Sequence, residues 1–295
     1  MEPIVHEENI NLFWQYIIKR YNIYLKRINN ESYPWTDDPI LLKWKFTNVF
    51  REDDPGTIYV IDKIIPHFKN DFQNLLFNTI IYRLYNKINT MDKIGLQKIE
   101  TFDKDLLEGK LREVAISDKV FTNAFIVSSF AFISRDCDKI GRTCILLEKI
   151  RDMISELSSS ILQNKDSEFT YNSLLGVPGL GKFLAYQIAV DLGYHDKTVF
   201  DENKYVVSGP GCISGLDKLF KDKNGLNYEE CIQHLCHMQK QGFLDNGYDI
   251  DELFKDRKHK CLNLMAMENC LCEISKYLKV YHKVGRARNK YRYLC

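Results

Sequence analysis

Two stretches of the sequence gather side chains able to do chemistry. The first, "YPWTDDPILLKWKFTNVFREDDPGT", holds Trp35, Asp37, Asp38, Trp44, Asn48, Arg51, Asp53 and Asp54. A helix predicted over 39–52 puts Trp44, Asn48 and Arg51 at i, i+4 and i+7, so an indole, an amide and a guanidinium share one face. Such a face can stack on an extruded base, read its edge and grip a phosphate. The same residues suit a plainer role, with Trp44 in the core, Arg51 paired to Glu52 or Asp54, and Asn48 bonded at a helix end. The second stretch, "LLGVPGLGKFLAYQIAVDLGYHDKTVFDENKYVVSGPGC", covers 174–212 and sets Asp201 between two glycine-proline turns. In "VPGLG", Pro178 presets a backbone angle while Gly179 and Gly181 admit positive φ and close approach, leaving amides beside Lys182 free to hold a phosphate. A second turn carries Gly209 and Gly211. For Asp201 itself, the plainer alternative to a catalytic role is to cap a helix that begins near Glu202.

The elements that must position these residues are helices. Apolar residues recur at helical spacing, as in Leu75, Leu76, Thr79, Ile80 and Leu84, and period-two alternation is absent. Helices are predicted near 8–29, 39–52, 71–88, 117–133, 139–162, 179–192, 213–221, 226–240 and 259–282. Asp38 as N-cap with Pro39 in the first turn marks the second of these. "SEFTYNSLL" reads as a further short helix, so 170–192 is a helix, a tight hairpin and a helix. A short hairpin or extended loop is expected near 201–208. The fold class is mostly α, as a single domain over 1–295 with two lobes and a cleft between them.

Composition excludes several classes. Forty-one Lys plus Arg against forty Asp plus Glu give a net charge of +1, so affinity for nucleic acid must come from a local patch. The tail "KVYHKVGRARNKYRYLC" is such a patch, with Arg286, Arg288 and Lys290 interleaved with aromatics. A solvated helix end explains the same basic residues. The nine cysteines carry no secretory framework, and Cys231, Cys236, Cys261, Cys270 and Cys272 lack iron–sulfur spacing, so buried thiols are expected and no metal site. No apolar run approaches the ~20 residues that cross a bilayer, and "EPIVHEENINLFWQYI" is no signal peptide. The expectation is an intracellular protein of a nucleus or of a virus- or phage-infected cell.

The helix–hairpin–helix around "VPGLG" resembles the element with which DNA glycosylases hold duplex backbone. In the superfamily resembling endonuclease III a catalytic aspartate follows that hairpin by one helix and a loop, the place of Asp201 here. Phe183 stands near the position where a lyase carries lysine, so lyase chemistry is not implied. More broadly, "PWTDDPILLKWKFTNVFREDD", "LGKFLAYQIAVDLGY" followed by "VVSGPGCISGL", and "ENCLCEISKYLKVYHKVGRARNKY" resemble one family over most of the chain. That family is the helical domain of phage 5-hydroxymethyluridine DNA kinases, with the related α-glutamyl/putrescinyl thymine pyrophosphorylases.

The resemblance implies a glycosylase-like helical fold that works on a flipped 5-hydroxymethyluracil derivative in DNA. An amine, from an amino acid or a polyamine, would be transferred to the 5-methylene with loss of phosphate or pyrophosphate. Arg51 would grip the leaving group and Asp201 would face the developing positive carbon, with Asp54 beside them as a third catalytic candidate. The base pocket would draw on Trp35, Asp37, Asp38, Trp44, Asn48, Glu273 and Tyr277. DNA would be held by Gly179, Gly181, Lys182, Gly209, Gly211, Arg286, Arg288 and Lys290. No GxxxxGKS or GxxxxGKT occurs, so phosphorylation falls to a separate hydroxymethyluridine DNA kinase as partner, and no cofactor is implied. A glycosylase excising a modified thymine or uracil, and a non-catalytic DNA-binding module beside that kinase, are the alternatives.

Overall fold

The computed structural model describes residues 2–124, 127–287 and 289–291. It is mostly α. The chain begins with β1 (Ile4–Val5), α1 (Glu7–Ile28) and α2 (Pro39–Lys43), followed by α3 (Pro55–Tyr59), α4 (Ile65–His67), α5 (Phe72–Tyr85) and α6 (Ile88–Ile94). Next come α7 (Lys104–Ser117), α8 (Lys139–Asn164), α9 (Ser167–Leu175) and α10 (Lys182–His195). The chain closes with α11 (Pro210–Leu219), β2 (Phe220–Asp222), α12 (Tyr228–Asp245), α13 (Ile250–Leu253) and α14 (Leu264–Tyr281). Two compact units result: Met1–Asp54 with Glu202–Cys295, and Pro55–Asp201.

The first unit is built on α1, α11, α12 and α14. In α1 the apolar residues Ile10, Phe13, Trp14, Ile17 and Tyr21 form a buried stripe, and Glu7 and Glu8 open the helix while Lys26 and Arg27 close it, matching its dipole. Asn227 and Glu230 make a capping box at the start of α12. Gly242 of α12 lies so close to Trp14 that no Cβ would fit. Against α14, α11 packs through Gly211 and Gly215, one turn apart: a Cβ on the first would strike the Cys272 side chain, and on the second the Leu271 carbonyl. β1 and β2 pair antiparallel, Ile4 with Asp222 and Val5 with Phe220.

The second unit surrounds α5, whose residues from Asn74 to Tyr85 are all buried. Arg83 on α5 forms a two-pronged ion pair with Asp191 on α10, at 2.5 and 2.7 Å. After α9, Gly179 adopts φ +83°, and Gly181 is the N-cap of α10. The 199–201 segment is stitched back: Thr170 Oγ1 donates to the Val199 carbonyl at 2.8 Å, and the Asp201 amide donates to Ser167 Oγ at 2.9 Å. Residues 202–204 form a turn, so Asp201 caps no helix.

The long helices lie where the periodicity puts them, and three readings need correction. The helix expected over 39–52 stops at Lys43, because Trp44 turns extended and its neighbours pair with the tail. Lys45 donates to the Asn289 carbonyl and Tyr291 donates to that of Lys43, both at 3.0 Å. Trp44, Asn48 and Arg51 therefore share no helical face. The helix expected over 117–133 is absent among the described residues. Thr122, Ser128 and Ser134 hydroxyls each accept the amide two residues on, which gives that backbone a local alternative to the helix. Conversely, α6 and α7 form although the pattern reading passed over them; Asp103 caps α7 by accepting from the amides of Asp105 and Leu106.

A Cβ on Gly215 would sit 2.9 Å from the Leu271 carbonyl carbon, a backbone atom that cannot rotate away. Gly215→Ala is expected to lower stability by about 2–3 kcal/mol. Gly181→Ala, where nothing lies within 4 Å, should cost under about 1 kcal/mol by urea denaturation.

A buried charged cluster as candidate functional site

In the first unit the segment 44–54 is held in an irregular path that delivers charged side chains to α1 and α14. It is anchored at its start by Asp38. Its Oδ1 accepts the amides of Ile40 and Leu41 at 2.9 and 3.1 Å, and its Oδ2 accepts Lys19 Nζ at 3.0 Å and the Tyr277 hydroxyl at 2.8 Å. Burial pushes the Asp38 pKa up, yet these donors, Tyr277 foremost, hold it below the ordinary carboxylate value. Farther along, Asn269 of α14 donates to the Asn48 carbonyl at 2.7 Å and accepts from Thr47 Oγ1 at 3.2 Å. The far end is closed by Arg257, which pairs with Asp53 and lies 4.3 Å from the Phe50 ring centre.

Between these anchors lies the cluster. Arg20 of α1, 6 % exposed, donates through Nη2 to Asn48 Oδ1 at 2.6 Å. Asn48 in turn donates through Nδ2 to the Asp53 carbonyl at 2.8 Å, and its backbone amide donates to Asp54 Oδ1 at 3.1 Å. Arg51, in a 3₁₀ turn from Arg51 to Asp53, is buried. From α14 come Glu268, which accepts the Gly209 amide at 3.3 Å, and Glu273, which is 3 % exposed and accepts Lys276 Nζ at 2.5 Å. Nη1 of Arg20 and Oε2 of Glu273 are buried and have no hydrogen-bond partner among the described residues.

The electrostatics follow from burial. Desolvation raises the Asp54 pKa to about 6 and that of Glu268 to about 7, against the lowering pull of Arg51 on each. Arg20 is lowered by the same burial, and Tyr16, one turn before it, is raised well above the ordinary phenol by burial and then by the Glu273 carboxylate. A carboxylate near pH 6–7 can exchange protons at neutral pH, and a buried guanidinium can hold an anion; together they are equipped for acid–base work on a charged substrate.

The structure thus brings Asn48, Arg51, Asp54 and Glu273 into one cluster. Asp38 and Tyr277 bond to each other one turn away, and Trp44 is buried and forms an isolated antiparallel bridge with Lys290. Asp37 is exposed; Trp35 is half-buried beneath Arg27, with its indole NH donating to the Glu31 carbonyl at 2.8 Å. Gly211 serves the contact of α11 with α14, and Gly209 and Ser208 give their amides to Glu268 and Glu229, so the chain's own carboxylates stand at this helix start. Asp201, Gly179, Gly181 and Lys182 belong to the second unit. Arg286 and Lys290 are exposed, and Arg288 lies outside the described residues. Of the cysteines expected to be buried, Cys231 and Cys270 are, whereas Cys236, Cys261 and Cys272 are half-buried. Among the described residues no His, Cys, Asp and Glu group is placed to hold a metal ion, and no helix is long and apolar enough to cross a membrane. Sequence reading missed Arg20 and Glu268. Arg20 carried a signal, a charge one residue before Tyr21 on the buried stripe of α1.

The chain matches the family model described as "5-hmdU DNA kinase, helical domain" over residues 7–286. It belongs to that family. A relative named "5-hmdU DNA kinase", from Bacillus phage SP10, is 30 % identical over 293 residues. The match takes in 92 % of this chain and 45 % of the relative, so the chain spans about half of the relative's length. No solved structure matches.

Glu268 has a folded pKa of about 7 against an ordinary 4.5, so the unfolded chain releases this proton first and ionisation costs stability progressively from pH 4.5 to 7. Glu268→Gln keeps an acceptor for Gly209. It is expected to match the parent near pH 4.5 and exceed it by about 3 kcal/mol at pH 8, measured by denaturation across pH. A difference that does not change with pH would contradict the burial argument.

Proposed function

We propose that this chain binds DNA and acts on an extruded base derived from 5-hydroxymethyluracil, with the charged cluster of the first unit as the reacting site. The observation that carries the reading is the meeting of two buried arginines with carboxylates held near neutral pKa, in a family whose matched relative bears the name of a 5-hmdU DNA kinase. In the reaction a C–N bond forms at the 5-methylene while its bond to a phosphate or pyrophosphate oxygen breaks. Arg51 would take up the negative charge of the leaving group, worth about 10²–10³ in rate for one such donor. An incoming amino acid or polyamine arrives as an ammonium and must lose a proton to attack. Asp54, more basic than an ordinary carboxylate yet largely ionised at pH 7.5, would receive it. The turn at Gly179, Gly181 and Lys182, read as a glycosylase-like helix–hairpin–helix, and the exposed Arg286 and Lys290 would hold the duplex backbone. Asp201 enters through its resemblance to the glycosylase aspartate.

A second reading has its own support. The chain carries no GxxxxGKS or GxxxxGKT, which fits a base-reading module that works together with a kinase activity.

The test is to incubate the protein with duplex containing 5-hydroxymethyluracil, bare, phosphorylated or pyrophosphorylated, together with an amino acid or polyamine, and to weigh the bases. A heavier base is the expected result, abolished in Asp54→Asn and reduced about 10²-fold or more in Arg51→Met. A lost base would indicate a glycosylase, and unchanged bases with modification-dependent binding would indicate the reader. Asp201→Asn is expected to be inactive; full activity would set aside the role implied by the resemblance to the glycosylase aspartate. Arg286→Ala should flatten the salt dependence of binding by about one unit of slope.

A further inference from the structure

Within the cluster most polar groups are already occupied. Asn48, whose amide has the right chemistry to read a base, gives its Oδ1 to Arg20 and an Nδ2 proton to the Asp53 carbonyl, so it positions Arg20. Asp38 is met by four donors. Arg20 and Glu273 are each more than nine-tenths buried, and each keeps one polar atom without a partner among the described residues, a donor on the first and an acceptor on the second. An unpaired buried donor or acceptor costs about 1–3 kcal/mol, more for a charged group, and natural structures retain few of them.

Their placement supplies an order. Tyr16 and Arg20 stand one turn apart on α1, Glu273 and Tyr277 one turn apart on α14, and the Tyr16 and Tyr277 rings meet at 5.5 Å, so the two rows run side by side. Arg20 is tied through Asn48 to the segment that carries Arg51 and Asp54, whereas Glu273 belongs to α14. A pyrimidine whose 5-substituent lies toward Arg51 can then present its 4-position to Arg20 and its 3-position to Glu273. In uracil these are a carbonyl acceptor and an N–H donor, the complements of a guanidinium and a carboxylate. In cytosine they are an amino donor and a ring-nitrogen acceptor, which face like against like.

We propose that Arg20 and Glu273 read the imide edge of the extruded base, Arg20 donating to O4 and Glu273 accepting from N3–H, and so restrict the site to uracil-type bases. The proposal rests on the reading that a base from DNA enters this cluster.

The experiment compares duplexes that carry, at one position, 5-hydroxymethyluracil, 5-hydroxymethylcytosine or N3-methyl-5-hydroxymethyluracil, by competition binding to the full chain. The unmodified protein is expected to prefer the uracil over both others by at least about tenfold. The methyl group also prevents pairing and eases extrusion, so weaker binding to that duplex reports on the site and not on the cost of flipping. In Glu273→Gln and Arg20→Lys the uracil-to-cytosine ratio should fall toward one, a change that a merely structural role would not produce. Equal binding of the N3-methyl base, or an unchanged ratio in folded variants, would overturn the assignment while leaving the wider reading standing. If the protein does not distinguish any hydroxymethylated duplex from plain thymine DNA, the wider reading fails and the assignment falls with it.

Discussion

A guanidinium buried on the inner face of α1 has to find acceptors, and the one it finds directly is Asn48. That bond, at 2.6 Å, is the constraint around which the first unit is arranged. A charged group taken out of water is tolerated only when it is hydrogen-bonded. The Asn48 side chain must therefore face α1, its carbonyl then faces Asn269 on α14, and its amide meets Asp54. A helix through 44–48 would withdraw these groups into its own ladder. The irregular path is what sets Arg51 and Asp54 beside the carboxylates of α14.

The same burial shapes the chemistry. Asp54 and Glu268 lose the hydration that would favour their charged forms, and the arginines restore only part of it. The cluster consequently holds acids that exchange protons near neutral pH next to fixed positive charge. Close packing of α11 on α14, permitted by Gly211 and Gly215, helps to bury Glu268 and brings the Gly209 amide to it. Stability and proton affinity are coupled there: each proton released from these acids weakens the fold, by about 3 kcal/mol for Glu268, and strengthens the site's capacity to act as a base.

Much of the architecture was legible in the sequence. The apolar stripe of α1 and the Asp38–Pro39 start of α2 were visible because they depend on local spacing and local capping. The short helix, turn and helix through α9 and α10 were visible from their glycines. What escaped depends on partners distant in sequence. The end of α2 is decided by pairing with residues 289–291, and the loop after α7 by hydroxyls that compete with the helix ladder. For the site, Asn48, Arg51 and Asp54 could be singled out by residue type and Glu273 through the family resemblance, although the helical face expected to unite Trp44, Asn48 and Arg51 does not form. Arg20 and Glu268 were hidden within helices whose pattern spoke of packing, and Gly211, a candidate for DNA, proved to answer a steric demand.

The central claim is that the cluster on α1, α14 and the segment between α2 and α3 receives an extruded hydroxymethyluracil-type base. The most direct measurement is a crystal structure of the chain bound to duplex carrying one such base. The account predicts the base out of its stack, with its edge within hydrogen-bond distance of Arg20 and Glu273 and its 5-substituent directed to Arg51. A base that remains stacked, or is extruded to a site that none of these residues touches, would contradict it.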